Sequence, residues 1–196
     1  DLAALFGCAI TTGFGVVENN AKLKMGESVV VFGAGGVGLN IIQACNLHSA
    51  YPIIAVDIFD ERLEIARKFG ATHTINTNKK NFIEELEKLS LYKKLDIFID
   101  NTGNTKIIEM GYDSINSFGR IILVGVPRKG NNINIFSLPL HFGKTITGSH
   151  GGESYPSRDI PRFLNIFNQN IALFKDLITK RIRLEEINYG IELMKK

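Results

Sequence analysis

The chain is poor in cysteine, in long apolar runs, in charge of one sign and in low-complexity tracts, and each shortage excludes something. Two cysteines, Cys8 and Cys45, stand far apart with no CxxC pair. That excludes a disulfide framework and any zinc site built wholly from this chain's cysteines. It sets a reducing, cytoplasmic compartment as the expectation. The longest apolar stretches, such as Val29 to Phe32 and Ile53 to Val56, fall far short of the roughly 18 residues a membrane helix needs. No membrane partner is expected. Lys and Arg number 23 against 20 Asp and Glu, scattered along the chain for a net charge of +3. With no long basic face to track a phosphate backbone, nucleic acid is not an expected partner either. Internal repeats and Pro/Ser-rich linkers are missing, and none of His48, His73, His141 and His150 pairs with another at a ligand spacing such as HxxxH. Loop or surface positions are expected for these histidines. There is no charged-then-apolar leader before or after Asp1, and the sequence stops inside a predicted helix, Ile187 to Lys196. A piece of a longer protein is the expectation.

What is present is 196 residues, 44% hydrophobic and 22% charged, the profile of one globular domain with an ordinary core. Short β-branched runs alternate with amphipathic runs bounded by Gly, Asn and Asp, which is the pattern of βαβ units. Strands are predicted at Ser28 to Phe32, Ile53 to Asp57, Thr72 to Ile75, Leu95 to Asp100, Arg120 to Val124 and Thr145 to Ser149. Helices are predicted at Gly36 to Leu47, from Asp60 as N-cap to a stop at Gly70, and at Asn81 to Leu89, Lys106 to Ile115 and Arg162 to Gln169. Strands such as VVVF, IIAV and IILV are apolar throughout instead of alternating, so both faces of their sheet must be covered. The fold class is therefore α/β, a doubly wound six-stranded parallel sheet.

Gly33-Ala34-Gly35-Gly36-Val37-Gly38 fits GxGxxG, directly after a predicted strand and opening a predicted helix. The first glycine permits the tight turn, the second lets backbone approach a diphosphate, and the third lets strand and helix pack closely. The helix N-terminus then faces the anion with unpaired N–H groups. Asp57 follows about twenty residues on, at the end of the second strand, where a carboxylate accepts hydrogen bonds from adenosine ribose hydroxyls. A carboxylate there opposes a 2′-phosphate, so NAD is favoured over NADP, with Arg62 nearby as the counter-argument. Methyltransferases that use S-adenosylmethionine also place an acid after a glycine loop, but seldom with a full GxGxxG that starts a helix.

Three segments together resemble a known family: Gly7-Cys8-Ala9-Ile10-Thr11-Thr12-Gly13-Phe14-Gly15, then Val31 to Leu39, then Gly119-Arg120 leading to Val124-Gly125-Val126-Pro127. They are similar to the coenzyme domain of zinc-dependent medium-chain alcohol dehydrogenases, a likeness covering essentially the whole chain. The resemblance implies a Rossmann fold for residues 1–196. Its ends, about 1–20 and 170–196, would lead to a catalytic domain absent from this chain. It implies that Cys8 is one ligand of a catalytic zinc and that Thr12 lies beside the nicotinamide, with Val37 packed behind that ring. Asp57 and Arg62 would meet the ribose, Asn101 and Thr102 would lie near the adenosine half, and Val124, Gly125, Val126 and Ser149 would surround the nicotinamide amide. His150 becomes a candidate to line the substrate cleft. The partner is an alcohol or aldehyde.

The family's other catalytic zinc ligands, a cysteine and the histidine of a Gly-His-Glu motif, would precede Asp1, as would its proton relay. This chain alone is thus expected to bind NAD without turning over alcohol, and it contains no catalytic residue. The segment Lys129 to Ser137 sets Ile133, Ile135 and Phe136 in an alternating frame; in relatives that edge pairs across a twofold axis, so a homodimer is expected. Two alternatives stand beside this: a non-catalytic dinucleotide-binding module, and a zinc-free NADPH quinone oxidoreductase, against which Cys8 and Asp57 argue together.

Overall fold

Alternation within each strand explains the sheet. In β1 (Val29–Phe32), Val29 and Val31 belong to one buried cluster and Val30 and Phe32 to another, so the strand is apolar throughout because it feeds two cores. The same holds in β2 (Ile53–Asp57), where Ile53 and Ala55 part from Ile54 and Val56. With β3 (His73–Asn76), β4 (Leu95–Asp100), β5 (Ile115–Leu123) and β6 (Thr145–Gly148) they form one parallel sheet in the order β3-β2-β1-β4-β5-β6. In this computed structural model, residues 2–169, 174 and 176–194 are described. Parts of the segment expected to lead onward (170–173, 175) and the last two residues of the predicted closing helix lie outside the described residues.

On the first face, α1 (Ala9–Gly15), α2 (Gly36–Leu47), α3 (Asp60–Lys68) and α6 (Pro156–Gln169) bury Ile10, Phe14, Ile41, Ile42, Leu63 and Phe163 against the sheet. On the second, α4 (Phe82–Lys88) and α5 (Thr105–Ser114) bury Phe82, Leu86 and Tyr112. Rings of Phe32, Phe82 and Phe98 meet with centroids 5.6 to 6.0 Å apart. Full burial of a phenylalanine contributes roughly 1.5–3 kcal/mol, so this trio anchors the short α4 to the sheet. Asn81 caps α4 by accepting from the N–H groups of Ile83 and Glu84, and Asn104 caps α5 by accepting from that of Lys106. A last helix, α7 (Ile187–Met194), closes the described chain.

Differences from expectation are local and have local causes. Asp60 is not the N-cap of α3 but its first residue, because Asp57 has already turned the chain by accepting from the N–H groups of Ile58 and Phe59. The Asp60 carboxyl instead bonds Asn76 and Lys79 at the end of β3, and the Lys79 ammonium holds it below the usual carboxylate range. Strand β5 starts at Ile115, directly after α5, and its pairing with β4 shifts register between Leu95 and Ile97. That irregularity sends Leu95 into the same cluster as Phe98 while Ile97 joins the opposite one. Helix α6 begins earlier than expected, at Pro156, a first-turn position that proline suits. The alternating frame around Ile133 to Phe136 forms no strand: Ile135 packs on the second core, while Phe136 is exposed and its carbonyl accepts from the Tyr112 hydroxyl.

The order of the strands places the site. The chain winds outward from β1 to β3, returns to the other side of β1 with β4, and winds outward again to β6. The loops after β1 and β4 therefore leave in opposite directions and open a crevice at the carboxyl ends of the strands.

Candidate functional site

Strand β1 ends at Phe32, and the turn Gly33 to Gly38 carries the chain into α2. Gly33 adopts φ +95°, a left-handed conformation that favours glycine, and its N–H bonds the Val56 carbonyl at 2.8 Å. Gly35 occupies the N-cap position of α2, with no side-chain cap and no acidic residue in the first turn, so the first N–H groups of that helix keep no side-chain partner. A Cβ at Gly35 or Gly36 would meet open space, whereas one at Gly38 would lie 2.0 Å from the Gly33 carbonyl oxygen. The first two thus border the cleft, and the last closes the turn on itself.

Asp57 ends β2 beside this turn and is buried. One carboxylate oxygen accepts from the N–H of Ala34 at 2.8 Å, and the other from Ile58 at 2.7 Å and Phe59 at 3.1 Å. A carboxylate offers about four acceptor positions. Three are used, which leaves one for a ligand hydroxyl. Arg62, half-exposed on α3, reaches within 3.6 Å of the carboxylate and lies over the ring of Phe59.

Asn101 and Thr102 follow β4. Together with Gly33, Gly35, Gly36, Val37, Gly38, Asp57 and Arg62 they line one cleft of about 890 Å³, within the roughly 300–1,000 Å³ usual for a ligand site. Its far wall is apolar, from Phe82, Ile83, Ile107 and Met110. The periodicity of the sequence puts these four on helices but carries no sign that α4 and α5 turn them toward the glycine turn. Asp100 is the residue that the sequence undersold. Fully buried, it accepts from the N–H groups of Thr102 and Gly103 and from the Thr102 hydroxyl, while its carbonyl takes the N–H groups of Val124 and Gly125. It touches no helix cap and no cleft. It builds the loop that carries Asn101 and Thr102, and the spacing Asp-x-Thr-Gly is the signal for such a turn.

The remaining expected site residues lie outside this cleft. Thr12 is buried in α1, next to the 149–152 loop: a Cβ at Gly152 would lie 2.6 Å from the Thr12 carbonyl oxygen, and the Gly152 N–H bonds the Ser149 hydroxyl at 3.1 Å. Val124, Gly125 and Val126 pack on the 101–103 loop, with Val126 90% exposed. His150 is exposed at the start of its short turn. Cys8 is exposed at the start of α1, and among the described residues no group of three His, Cys, Asp or Glu could hold a metal ion. These residues do not by themselves fit a zinc ion. Cys45 is buried in the first core, and burial pushes its thiol far up, which leaves it inert. No helix among the described residues is long and apolar enough to cross a membrane.

An uncapped helix N-terminus, open space above two glycines and a buried carboxylate with one free position fit a dinucleotide. The comparisons agree with that geometry: the zinc-binding dehydrogenase family is matched over residues 36–169. The chain belongs to that family. This zinc-binding dehydrogenase chain is 33% identical over 201 residues to the S-(hydroxymethyl)glutathione dehydrogenase of Paracoccus denitrificans, covering 99% of this chain and 54% of that protein. It is 32% identical over 202 residues to the class-3 alcohol dehydrogenase of Cereibacter sphaeroides, with the same coverage of both. Among solved structures, benzyl alcohol dehydrogenase from Acinetobacter calcoaceticus superposes with a TM-score of 0.90 at 32% identity, over 99% of this chain and 53% of that one. The chain thus spans about half the length of the curated relatives it matches.

Proposed function

We propose that residues 1–196 form the NAD-binding domain of a zinc-type alcohol dehydrogenase, a protein that transfers hydride between an alcohol or aldehyde and NAD. The ends, about 1–20 and 170–196, would lead into a catalytic domain. The observation that carries this is the turn Gly33 to Gly38 opening α2 without a cap, beside the buried carboxylate of Asp57. The relatives' names supply the substrate class. When bound, NAD supplies the hydride acceptor. This chain's own residues bind and orient it: the α2 N-terminus takes the diphosphate, Asp57 takes one ribose hydroxyl, and Thr12, Val124 to Val126 and Ser149 stand at the nicotinamide end. Cys8 would contribute one zinc ligand only if the rest of the protein supplied the others, so no step is routed through the metal.

A homodimer through the β6 edge is part of the same proposal. Phe118, Phe136 and Phe142 are exposed there, and β6 is an edge strand. The test of the function is a fluorescence titration with NADH and NADPH. Saturable NADH binding below a millimolar, tighter than NADPH, is the expected result. Tighter NADPH binding would favour the quinone oxidoreductase class, and no saturation by either would end the dinucleotide reading. NAD reduction on addition of short and aromatic alcohols to the protein separates the enzyme from a non-catalytic binding module.

A further inference from the structure

The Gly33–Ala34 peptide is pinned at both ends by side chains from different strands. Its N–H is held by Asp57 from β2, and its carbonyl accepts from the side-chain amide of Asn101, after β4, at 3.3 Å. A peptide unit is planar, so fixing both ends fixes its orientation. Gly33 has the freedom to flip that plane, and a flip would turn a carbonyl toward the space the α2 N–H groups face. Asn101 is well placed to prevent it: its backbone N–H also bonds the Phe32 carbonyl at 2.9 Å, and its Cβ would lie 3.2 Å from a Cβ at Gly33. The other side-chain atom gives the second observation. Asn101 Oδ1 is buried with no hydrogen-bond partner. A buried acceptor left without a donor costs stability, and an apolar side chain of similar size would avoid that cost. The amide is kept for what its donor does.

Resting on the dinucleotide reading above, we propose that Asn101 is a positioning residue for the diphosphate, acting through the Gly33 carbonyl to hold the turn in its anion-accepting orientation. The test compares wild type and Asn101→Val by calorimetric titration with NADH, ADP-ribose and adenosine, alongside thermal unfolding. Valine removes both the donor and the orphan acceptor. Asn101→Val is expected to bind NADH and ADP-ribose about tenfold more weakly, to bind adenosine within twofold of wild type, and to unfold at the same temperature or higher. A merely structural role would lower the unfolding temperature and weaken all three ligands alike, and that result overturns the proposal. Unchanged ADP-ribose affinity overturns it too. If Asn101→Val does not fold, Asn101→Ser, which removes the amide without adding bulk, carries the same comparison. A wild type that binds neither NADH nor ADP-ribose overturns the dinucleotide reading and this inference with it; a wild type that binds both, beside an unchanged variant, overturns the inference alone.

Discussion

The two ends of the expected cofactor site are built differently. Around Gly33 to Gly38, Asp57, Arg62, Asn101 and Thr102, the chain supplies floor, wall and anion-facing helix terminus, and nine of the expected residues line one cleft. Around Cys8, Thr12, Val124 to Val126, Ser149 and His150, it supplies neighbours without enclosure: Val126 is 90% exposed, and Cys8 and His150 are exposed. Side-chain hydrogen bonds account for the contrast. The first region is tied by Asp57, Asn101 and Asp100 across three strands, whereas the second is held mainly by backbone and hydroxyl contacts to the 149–154 loop. A site whose first half is complete can gain affinity from this chain alone, while the second half needs another wall before it can select a substrate.

The contrast breaks most sharply at Gly38. A Cβ there has no room, because the atom it meets is the backbone oxygen of Gly33 and not the end of a flexible side chain. Gly38→Ala is expected to displace the turn, to cost about 1–3 kcal/mol of stability in chemical unfolding, and to abolish saturable NADH binding. Retained binding would show that the diphosphate does not sit on this turn. Asp57→Ala comes next. It strips the acceptor from three backbone N–H groups and one ligand position, so NADH affinity is expected to fall by about ten- to a hundredfold. The preference for NADH over NADPH should shrink as well, since a charge opposed to a 2′-phosphate is removed. An unchanged preference would show that Asp57 serves only the turn.

The fold was readable where the signal is short-range. Helix α2 and strands β2 and β4 fall where apolar runs and the glycine turn put them, because burial on both faces and the φ demand of Gly33 are written in adjacent residues. Asp60 shows the limit: its type suits an N-cap, but Asp57, three residues earlier, had already made the turn, and Lys79 and Asn76 offered partners from β3. The start of β5 was hidden because the register shift against β4 depends on pairing with a distant strand. In the site, residue types at the glycine turn and Asp57 were legible. Which of them share a cleft, and that Asp100 builds the loop beneath Asn101, depended on strand order, which no local pattern encodes.

Smaller effects sharpen the same contrast. Arg62 is half-exposed, and its distance of 3.6 Å from Asp57 marks an ion pair open to solvent. Arg62→Ala is expected to change NADH affinity by no more than about threefold, with the change fading as salt is raised, because screening acts on exposed charge. A tenfold loss that survives high salt would instead place the guanidinium in direct contact with the ligand.

The smallest effect is expected in the open region. Val126 buries almost nothing, so its side chain contributes little to the core, and Val126→Ala should change stability by less than about 0.5 kcal/mol in urea unfolding. The backbone around it is held separately: the N–H groups of Val124 and Gly125 are bonded to Asp100, and the Val126 carbonyl lies against Gly103. Truncating the side chain therefore leaves the main chain in place, and any main-chain contact to a nicotinamide amide survives. ADP-ribose, which lacks the nicotinamide, should bind Val126→Ala and wild type alike. If ADP-ribose binding fell with Val126→Ala, the two regions would not be separate, and the division of labour drawn from their packing would fail.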